Sequence, residues 1–403
     1  MVTALYWVLA LLFFLVAFLM LHRPLPTDIS DRKKLTFFEV LLRISNEYVG
    51  DIVEKIYGPE ARNKLARRLL VAPYLLKSDN APPHLERTKR RIAGVSCICY
   101  RNKNPTADSL IVFIHGGGWA IGHGKLYDAR IYSLTKKLGI SAVSINYRLA
   151  PEHPFPAGLD DCEAVIKHLS TEGLGDFDFN KNKLIVMGDS AGGNLTASVC
   201  QRFDRAGLKN IAAQILIYPV IHVFNFFSPS YQDYSRKYSG TALLNPKHMA
   251  RWILLYVGIP ATEENMQKMI HNQHLEDQLE KSDYFGEYLN HEHLPEPFRH
   301  GHEHPEKKEI DNKLAMQFAS IGTNPDLSPI FGVTPTLPPA LVITAGYDIL
   351  RDEGWQYYNK LKASGVDATW KHYPTAFHGI LNVPRSDNKQ DIMKQIVEFC
   401  QQI

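Results

Sequence analysis

The middle and the end of the chain contain short apolar runs separated mostly by helix-length segments. The runs lie at Leu110–Ile114, Ile140–Ile145, Leu184–Met187, Ile215–Tyr218 and Leu341–Thr344. A β pattern also begins at Ile92–Tyr100, and a late strand is expected at Thr369–Tyr373. Strands that are apolar on both faces and alternate with helices are typical of a largely parallel sheet with helices on both sides. The pattern therefore predicts an α/β fold for residues 91–403.

The regular alternation of strands and helices stops between about residues 225 and 335. Helical patterns occur there at Pro246–Val257 and Glu263–His274, and a tract rich in His, Glu and Pro follows at Leu289–Lys308. A segment of this length without strands inside a compact domain is typical of a cap or lid. We therefore expect a helical cap inserted into the sheet domain at 225–335.

The first residues form a different kind of segment. Leu5–Leu21 is an uncharged apolar run about long enough to cross a bilayer as a helix. A cleaved signal peptide, which is the alternative, is expected to start with basic residues and to end at small ones, whereas this run ends at His22-Arg23-Pro24. The pattern favours a retained membrane anchor at residues 1–24, followed by a helical N-terminal or cap region at 25–90.

Charge and cysteine content narrow the function classes. The chain has 403 residues and a net charge of +3, without a long Lys/Arg block, which argues against a nucleic-acid partner. Its five cysteines are odd in number and lack metal-ligand spacing. Cys97 and Cys99 alternate within an expected strand, which places both side chains on one face of a sheet rather than indicating a ligand pair.

A nucleophile motif lies directly after one of the expected strands. Gly188-Asp189-Ser190-Ala191-Gly192 fits G-x-S-x-G, with Leu184–Met187 before it and a helix-forming stretch after it. In this context the flanking glycines allow a sharp strand-to-helix turn that holds the serine exposed. Ser190 is therefore the candidate nucleophile, at a helix N-terminus that favours a developing anion.

A glycine-rich loop follows the first of the short apolar runs. His115-Gly116-Gly117-Gly118-Trp119 comes after Leu110–Ile114. Consecutive glycines allow backbone N–H groups to approach the oxyanion of an acyl-transfer intermediate. A phosphate-binding loop is the alternative, but no Lys-Ser/Thr pair follows as in a P-loop. The predicted oxyanion donors are Gly116, Gly117 and Ala191.

A serine nucleophile needs a base and an acid that orients the base. Asp348 follows the strand at Leu341–Thr344, and His378 follows the strand at Thr369–Tyr373, in the order Ser, Asp, His. Asp352 and Glu353 are rivals for the acid, but they are better explained as the first turn of the next helix. We therefore predict a triad of Ser190, His378 and Asp348, which needs neither cofactor nor metal.

Several motifs together resemble the arylacetamide deacetylase group, in the hormone-sensitive-lipase branch of the α/β-hydrolases. The motifs are HGGGW at 115–119, YRLAPE at 147–152, GDSAGGN at 188–194, DILRDEG at 348–354 and FHG at 377–379. The resemblance implies an α/β-hydrolase fold and hydrolysis of apolar carboxylic esters, arylamides or acylglycerols. It also implies a supporting role for Glu152 beside the site.

The resemblance and the charges disagree on orientation. The resemblance implies a single-pass type II protein of the endoplasmic reticulum with a lumenal catalytic domain. The basic residues Arg23, Arg32, Lys33 and Lys34 all follow the apolar run, and the positive-inside rule alone leaves the catalytic body in the cytosol. Related deacetylases often carry cysteines where this chain has Ala120 and Ala345, so the lumenal disulfide of the group is not expected here.

Three alternatives stay open on the sequence. An acyltransferase would use the same triad with an alcohol as acceptor, and a ligand receptor on this fold would lack the triad histidine. A metal site at His300-x-His302-x-His304 is conceivable, but a solvated lid loop explains the tract without a further ligand set.

Overall fold

The computed structural model describes the chain except for a few residues. These are residues 1–6, 9–10, 13–14, 17, 19–20, 22, 76–79, 277–278, 280, 283–284, 287–288, 304 and 306–307. The predicted anchor at Leu5–Leu21 therefore lies partly outside the described residues, and His304 lies outside them as well. Of the helices formed by the described residues, none is both long and apolar enough to span a membrane.

Eight strands form one mixed sheet at the centre of the body. They are β1 (Leu85–Ile92), β2 (Val95–Asn102), β3 (Leu110–Ile114), β4 (Ser141–Asn146), β5 (Leu184–Asp189), β6 (Ile211–Ile217), β7 (Ala340–Tyr347) and β8 (Ala368–Phe377). Their order is β1-β2-β4-β3-β5-β6-β7-β8. The pairs β1/β2 and β2/β4 are antiparallel, and the pairs from β4 onwards are parallel. The predicted largely parallel sheet is confirmed.

The sheet begins earlier in the chain than the apolar pattern indicated. The predicted boundary at residue 91 falls inside β1, which pairs with β2 as a hairpin. The turn is made by Ala93 and Gly94, with φ angles of 48° and 82°. Five of the eight residues of β1 are charged, so this edge strand lacks the apolar run by which the other strands are recognised.

The helices lie on both faces of the sheet and in the inserted segment. They are α1 (Arg32–Arg43), a π-helical segment (Ile44–Val49), α2 (Gly50–Tyr57), α3 (Pro59–Leu75), α4 (Asp128–Leu138), α5 (Ala157–Thr171), α6 (Ala191–Arg205), α7 (Pro229–Lys237), α8 (Pro246–Tyr256), α9 (Glu263–Ile270), α10 (Glu296–Arg299), α11 (Asn312–Ile321), α12 (Arg351–Ala363) and α13 (Asp387–Cys400). Between 225 and 335 the described residues form helices and loops but no strand.

The strand registers bring distant motifs to one edge of the sheet. Ile114 at the end of β3 lies opposite Gly188 in β5. Tyr347 at the end of β7 lies opposite Phe377 at the end of β8. Because parallel strands share their carboxyl edge, the residues that follow these strands emerge side by side. Apolar layers on both faces of the sheet hold this arrangement.

Candidate active site

Ser190 sits on a strained turn between β5 and α6. Its backbone has φ 56° and ψ −124°, a conformation that costs energy for a residue with a Cβ. The turn requires the flanking glycines: a Cβ on Gly188 would lie 2.3 Å from the carbonyl oxygen of Gly192, and a Cβ on Gly192 would lie 2.1 Å from that of Ile114. The Ser190 N–H donates to the Ile217 carbonyl at 2.9 Å, which ties the turn to β6.

The structure brings the three predicted triad residues into contact. His378 Nε2 lies 2.9 Å from Ser190 Oγ, and His378 Nδ1 lies 2.7 Å from Asp348 Oδ2. The Asp348 carboxylate is buried, and its other oxygen accepts the Leu350 N–H at 2.9 Å. In this arrangement Nδ1–H donates to Asp348, so Nε2 is free to accept the serine proton.

The rival acids hold other parts of the structure. Asp352 accepts hydrogen bonds from Arg351 at 2.8 Å and from the Ser230 N–H at 2.7 Å. Glu353 accepts the N–H groups of Ile221 and His222 at 2.8 and 3.3 Å. Burial raises the pKa of Glu353 to about 8. Both carboxylates therefore fix the segment that follows β6, while Asp348 alone of the three contacts the histidine.

One predicted oxyanion donor is corrected by the geometry. The Gly116 N–H donates to Asp189 Oδ1 at 2.9 Å, and the Tyr127 hydroxyl donates to Asp189 Oδ2 at 3.0 Å. Burial raises the pKa of Asp189, while Arg130 and these two hydrogen bonds act in the opposite direction. Because its N–H already has a buried acceptor, Gly116 fixes the loop rather than facing a substrate. The aspartate inside the nucleophile motif is the signal that sequence reasoning missed.

The other glycines of the loop keep their N–H groups available. Within the described part of the chain, the N–H groups of Gly117, Gly118 and Ala191 form no hydrogen bond. Gly117 and Gly118 have φ angles of 118° and 56°, which other residues rarely adopt. The third glycine, which the sequence-based assignment left out, therefore joins Gly117 and Ala191 as a candidate donor.

The start of this loop is clamped by aromatic and polar contacts. The Tyr147 hydroxyl donates to the His115 carbonyl at 2.9 Å, and the two rings stack with centroids 4.4 Å apart. Burial lowers the pKa of His115 to about 4, so the imidazole is neutral near pH 7. Its Nδ1 lies 2.9 Å from the Gly116 carbonyl oxygen, to which it can donate.

The cap helix α8 covers the glycine loop. A Cβ on Gly118 would lie 2.3 Å from the Trp252 ring, so the indole rests directly on the loop. One turn later, Tyr256 stacks on Trp119 with centroids 4.4 Å apart and planes 1° apart. Two aromatic side chains of α8 thus form the roof above the candidate oxyanion donors.

Arg67 of α3 links the N-terminal helices to the same loop. Its guanidinium donates to the carbonyls of Ala120 and Ala150, each at 2.7 Å. It also binds both oxygens of Glu152 at 2.8 Å. Partial burial by itself would raise the pKa of Glu152, but the hydrogen bonds from Arg67 lower it. No local sequence pattern could reveal Arg67, because its partners lie far along the chain.

The described histidines of the tract and the five cysteines have other surroundings than a metal site or a disulfide would give them. Over the described residues, no group of three or more His, Cys, Asp or Glu side chains is placed to hold a metal ion. His302 lies 3.4 Å from Asp233, while His300 is exposed beside Glu296. All five cysteines are free and buried. Burial raises the pKa of Cys99 to about 12, so that thiol is not activated.

Comparisons with known proteins show the family to which the chain belongs. A family model described as "alpha/beta hydrolase fold" matches residues 111–281 and 302–382, more than half of the chain. The chain belongs to this family. It is 34% identical to arylacetamide deacetylase of Bos taurus over 281 residues, which are 67% of this chain and 68% of the relative. It is 28% identical to neutral cholesterol ester hydrolase 1 of Mus musculus over 371 residues, covering 89% of this chain and 88% of the relative.

A solved structure places the α/β-hydrolase fold on most of the chain. An esterase of Pyrobaculum calidifontis is 27% identical, with a TM-score of 0.60, and the match covers 84% of this chain and 92% of that one. The resemblance to arylacetamide deacetylases and the predicted enzyme class, a carboxylic ester hydrolase, are confirmed at the level of the family.

Proposed function

We propose that the protein hydrolyses carboxylic esters of apolar substrates through an acyl-enzyme on Ser190. The observation that carries this proposal is the chain of contacts from Ser190 through His378 to Asp348, with distances of 2.9 and 2.7 Å. His378 Nε2 takes the serine proton while Oγ bonds to the ester carbonyl carbon. Asp348 stabilises the imidazolium, and the N–H groups of Gly117, Gly118 and Ala191 donate to the oxyanion.

The rest of the reaction uses the same groups. The imidazolium returns its proton to the leaving alcohol as the carbon–oxygen bond breaks, which leaves the acyl group on Ser190. Water then loses a proton to His378 and attacks the acyl carbon, and collapse of the second intermediate releases the acid and restores the serine. The Trp252 and Tyr256 rings above the loop favour an apolar acyl or alcohol group. Arylamides and acylglycerols are further substrate classes within this proposal.

Labelling by a fluorophosphonate tests the nucleophile without knowledge of the natural substrate. The wild-type chain is expected to label, and Ser190→Ala is expected to lose both labelling and ester hydrolysis with an unchanged melting temperature. Labelling that persists in Ser190→Ala would remove Ser190 from the mechanism. A receptor on this fold would lack the serine–histidine contact, and product analysis with water or an alcohol as acceptor separates a hydrolase from an acyltransferase.

We further propose that residues 1–24 anchor the protein as a single-pass type II membrane protein with a lumenal catalytic domain. The apolar run Leu5–Leu21 supports the anchor, and the resemblance to arylacetamide deacetylases supports the orientation. A glycosylation sequon placed near Gly301, an exposed loop position, is expected to be modified. Protease should spare the body in sealed microsomes. An unmodified tract with a cleaved body would place the enzyme on the cytosolic side, as the basic residues indicate.

A further inference from the structure

The exposed apolar side chains are distributed unevenly over the molecule. Among the described residues, every large apolar side chain that is exposed lies between Trp7 and Leu70, except Met316. The catalytic body therefore has an ordinary polar surface, and the N-terminal helices do not. Soluble monomers rarely leave contiguous apolar surface of this kind uncovered.

The apolar residues of α1, the π-helical segment and α2 lie along one outward stripe. The stripe consists of Phe37, Leu41, Ile44, Tyr48, Ile52 and Ile56, with exposed fractions from 38% to 63%. They are spaced three or four residues apart, which places them on one helical face. At a rise of ~1.5 Å per residue the stripe is roughly 30 Å long. Phe38, Val49 and Tyr57 widen it.

Several polar residues of the same helices face the protein. Glu39 and Arg43 are buried and paired with each other, and Glu39 accepts the Ala242 N–H while Arg43 donates to the Gly240 carbonyl. Glu54 pairs with Arg251 of the cap helix at 2.6 Å. These helices thus differ from the usual amphipathic helix in water, because buried polar contacts help to hold them to the body, beside Leu35 and Val40, while a second apolar side faces outward.

The charged residues around the stripe indicate what kind of surface it contacts. The acidic side chains of these helices are engaged by arginines on the protein side, as in the pairs of Asp51 with Arg62 and of Glu54 with Arg251. Lys33 and Lys55 remain exposed at the two ends of the stripe. Lysines beside an apolar face suit the headgroups of a lipid surface, with the apolar side chains reaching the acyl boundary.

The preceding segment gives the second reason for a lipid occupant. Leu5–Leu21 is apolar and ends about ten residues before α1. Its described members Trp7, Leu11 and Leu15 are themselves 71%, 74% and 53% exposed, so they add further apolar surface to that of the stripe. We infer that the outward face of residues 37–57 lies on the bilayer surface as a second membrane contact beside the anchor. This inference rests on the membrane location proposed above.

This docking face is joined to the roof of the active site. Arg251, which Glu54 holds, is the neighbour of Trp252 on the glycine loop. Arg67 joins the third N-terminal helix to Ala120 and Glu152. A body docked in this way presents the cap side of the active site to the membrane, so that apolar esters need not cross water.

Site-specific labels on the full-length chain in proteoliposomes test the position of the stripe. All five native cysteines are buried, so Leu41→Cys, Ile52→Cys and Ile56→Cys each provide one accessible thiol for an environment-sensitive fluorophore. We expect these labels to be quenched by nitroxides on the lipid acyl chains and protected from iodide. Met316→Cys, at an equally exposed apolar position of the cap, is the matched control and should be quenched by iodide only.

Two labelling results would overturn the inference. Labels at 52 and 56 that iodide quenches as strongly as the label at 316 would show that the stripe faces water. Labels shielded from both quenchers would show that a second copy of the chain or another protein covers it.

An activity measurement separates docking from catalysis. The double variant Ile52→Glu/Ile56→Glu should lose about tenfold in turnover of an ester carried in vesicles, with unchanged turnover of a short soluble ester, and Met316→Glu should change neither. Unchanged turnover on vesicles would contradict the inference. A loss on both substrates would indicate a folding defect, and the labelling result then decides. If the wild type cleaves no ester while the labels report lipid, the proposed reaction fails and the docking face stands.

Discussion

The N-terminal helices and the catalytic body differ in where their apolar side chains lie. In the body, the apolar side chains of β3 and β5 are buried on both faces of the sheet. In α1 and α2, the buried positions include Glu39 and Arg43, while Phe37 and Ile52 are each 58% exposed. The body buries its apolar side chains in its own core, whereas the N-terminal helices leave many of theirs exposed on the outer surface. The comparison teaches that apolar side chains near the candidate triad are buried in the core, whereas those of the N-terminal helices remain available for the membrane contact that we propose.

Substitutions of the candidate triad residues in the body should have the largest effects on the reaction. His378→Ala and Asp348→Asn are expected to lower kcat about 10⁴-fold, because the base or its orientation is lost. Asp352→Asn, in the first turn of α12, is the control, and it should cost less than about tenfold in kcat while lowering the melting temperature, since it breaks a buried pair with Arg351. Steady-state kinetics with a soluble ester measure this. A greater kcat loss in Asp352→Asn than in Asp348→Asn would reassign the acid.

The glycine loop should show the next largest effect. Gly118→Ala places a Cβ 2.3 Å from the Trp252 ring at a φ of 56°, so loop or roof must move. We expect a fall of about 10²-fold in kcat with little change in KM. Gly94→Ala has a φ of 82° with no atom within 4 Å of its Cβ, so it carries backbone strain without the contact. Equal losses in the two variants would show that strain, and not the oxyanion loop, explains the effect.

Arg67 connects the N-terminal helices to the catalytic body, so its substitution tests whether these helices affect the reaction. Arg67→Met removes the hydrogen bonds to Ala120, Ala150 and Glu152, so the loop after the glycines loses its support. We expect kcat on a soluble ester to fall about tenfold well below the melting temperature. Arg68→Met, at the next and exposed position, should leave kcat unchanged. If Arg67→Met only lowered the melting temperature, the N-terminal helices would stabilise the body without positioning the loop.

The smallest effect concerns stability against pH. Burial raises the pKa of Glu353 to about 8 from an ordinary 4.5, so the folded state holds a proton that the unfolded state releases above pH 4.5. Its contribution is fully present below pH 4.5 and is lost as the pH rises towards 8. Glu353→Gln, which can still accept the Ile221 and His222 N–H groups, should flatten this decline. Melting temperatures from pH 5 to pH 9 measure it, and an identical slope in both proteins would contradict the assignment.

Short-range patterns allowed much of the candidate site to be predicted. The strand-turn-helix context of Ser190 and the positions of Asp348 and His378 after strands led to three residues that the structure brings into contact, because parallel strands bring their carboxyl ends to one edge. The oxyanion donors were predicted less well. Gly116 and Gly118 look alike in sequence, and only the buried Asp189 carboxylate distinguishes which N–H is already occupied.

The sequence by itself determined the class of fold and the apolar character of the first residues, and it led to the candidate nucleophile, base and acid, because each of these depends on local periodicity or on a motif a few residues long. The tertiary structure alone decided that Arg67 supports the loop at Ala120, that Glu54 holds the cap through Arg251, and that Trp252 covers Gly118. These contacts join residues that are far apart in the chain. The packing of whole helices decides which of these residues meet, and no local sequence pattern indicates it.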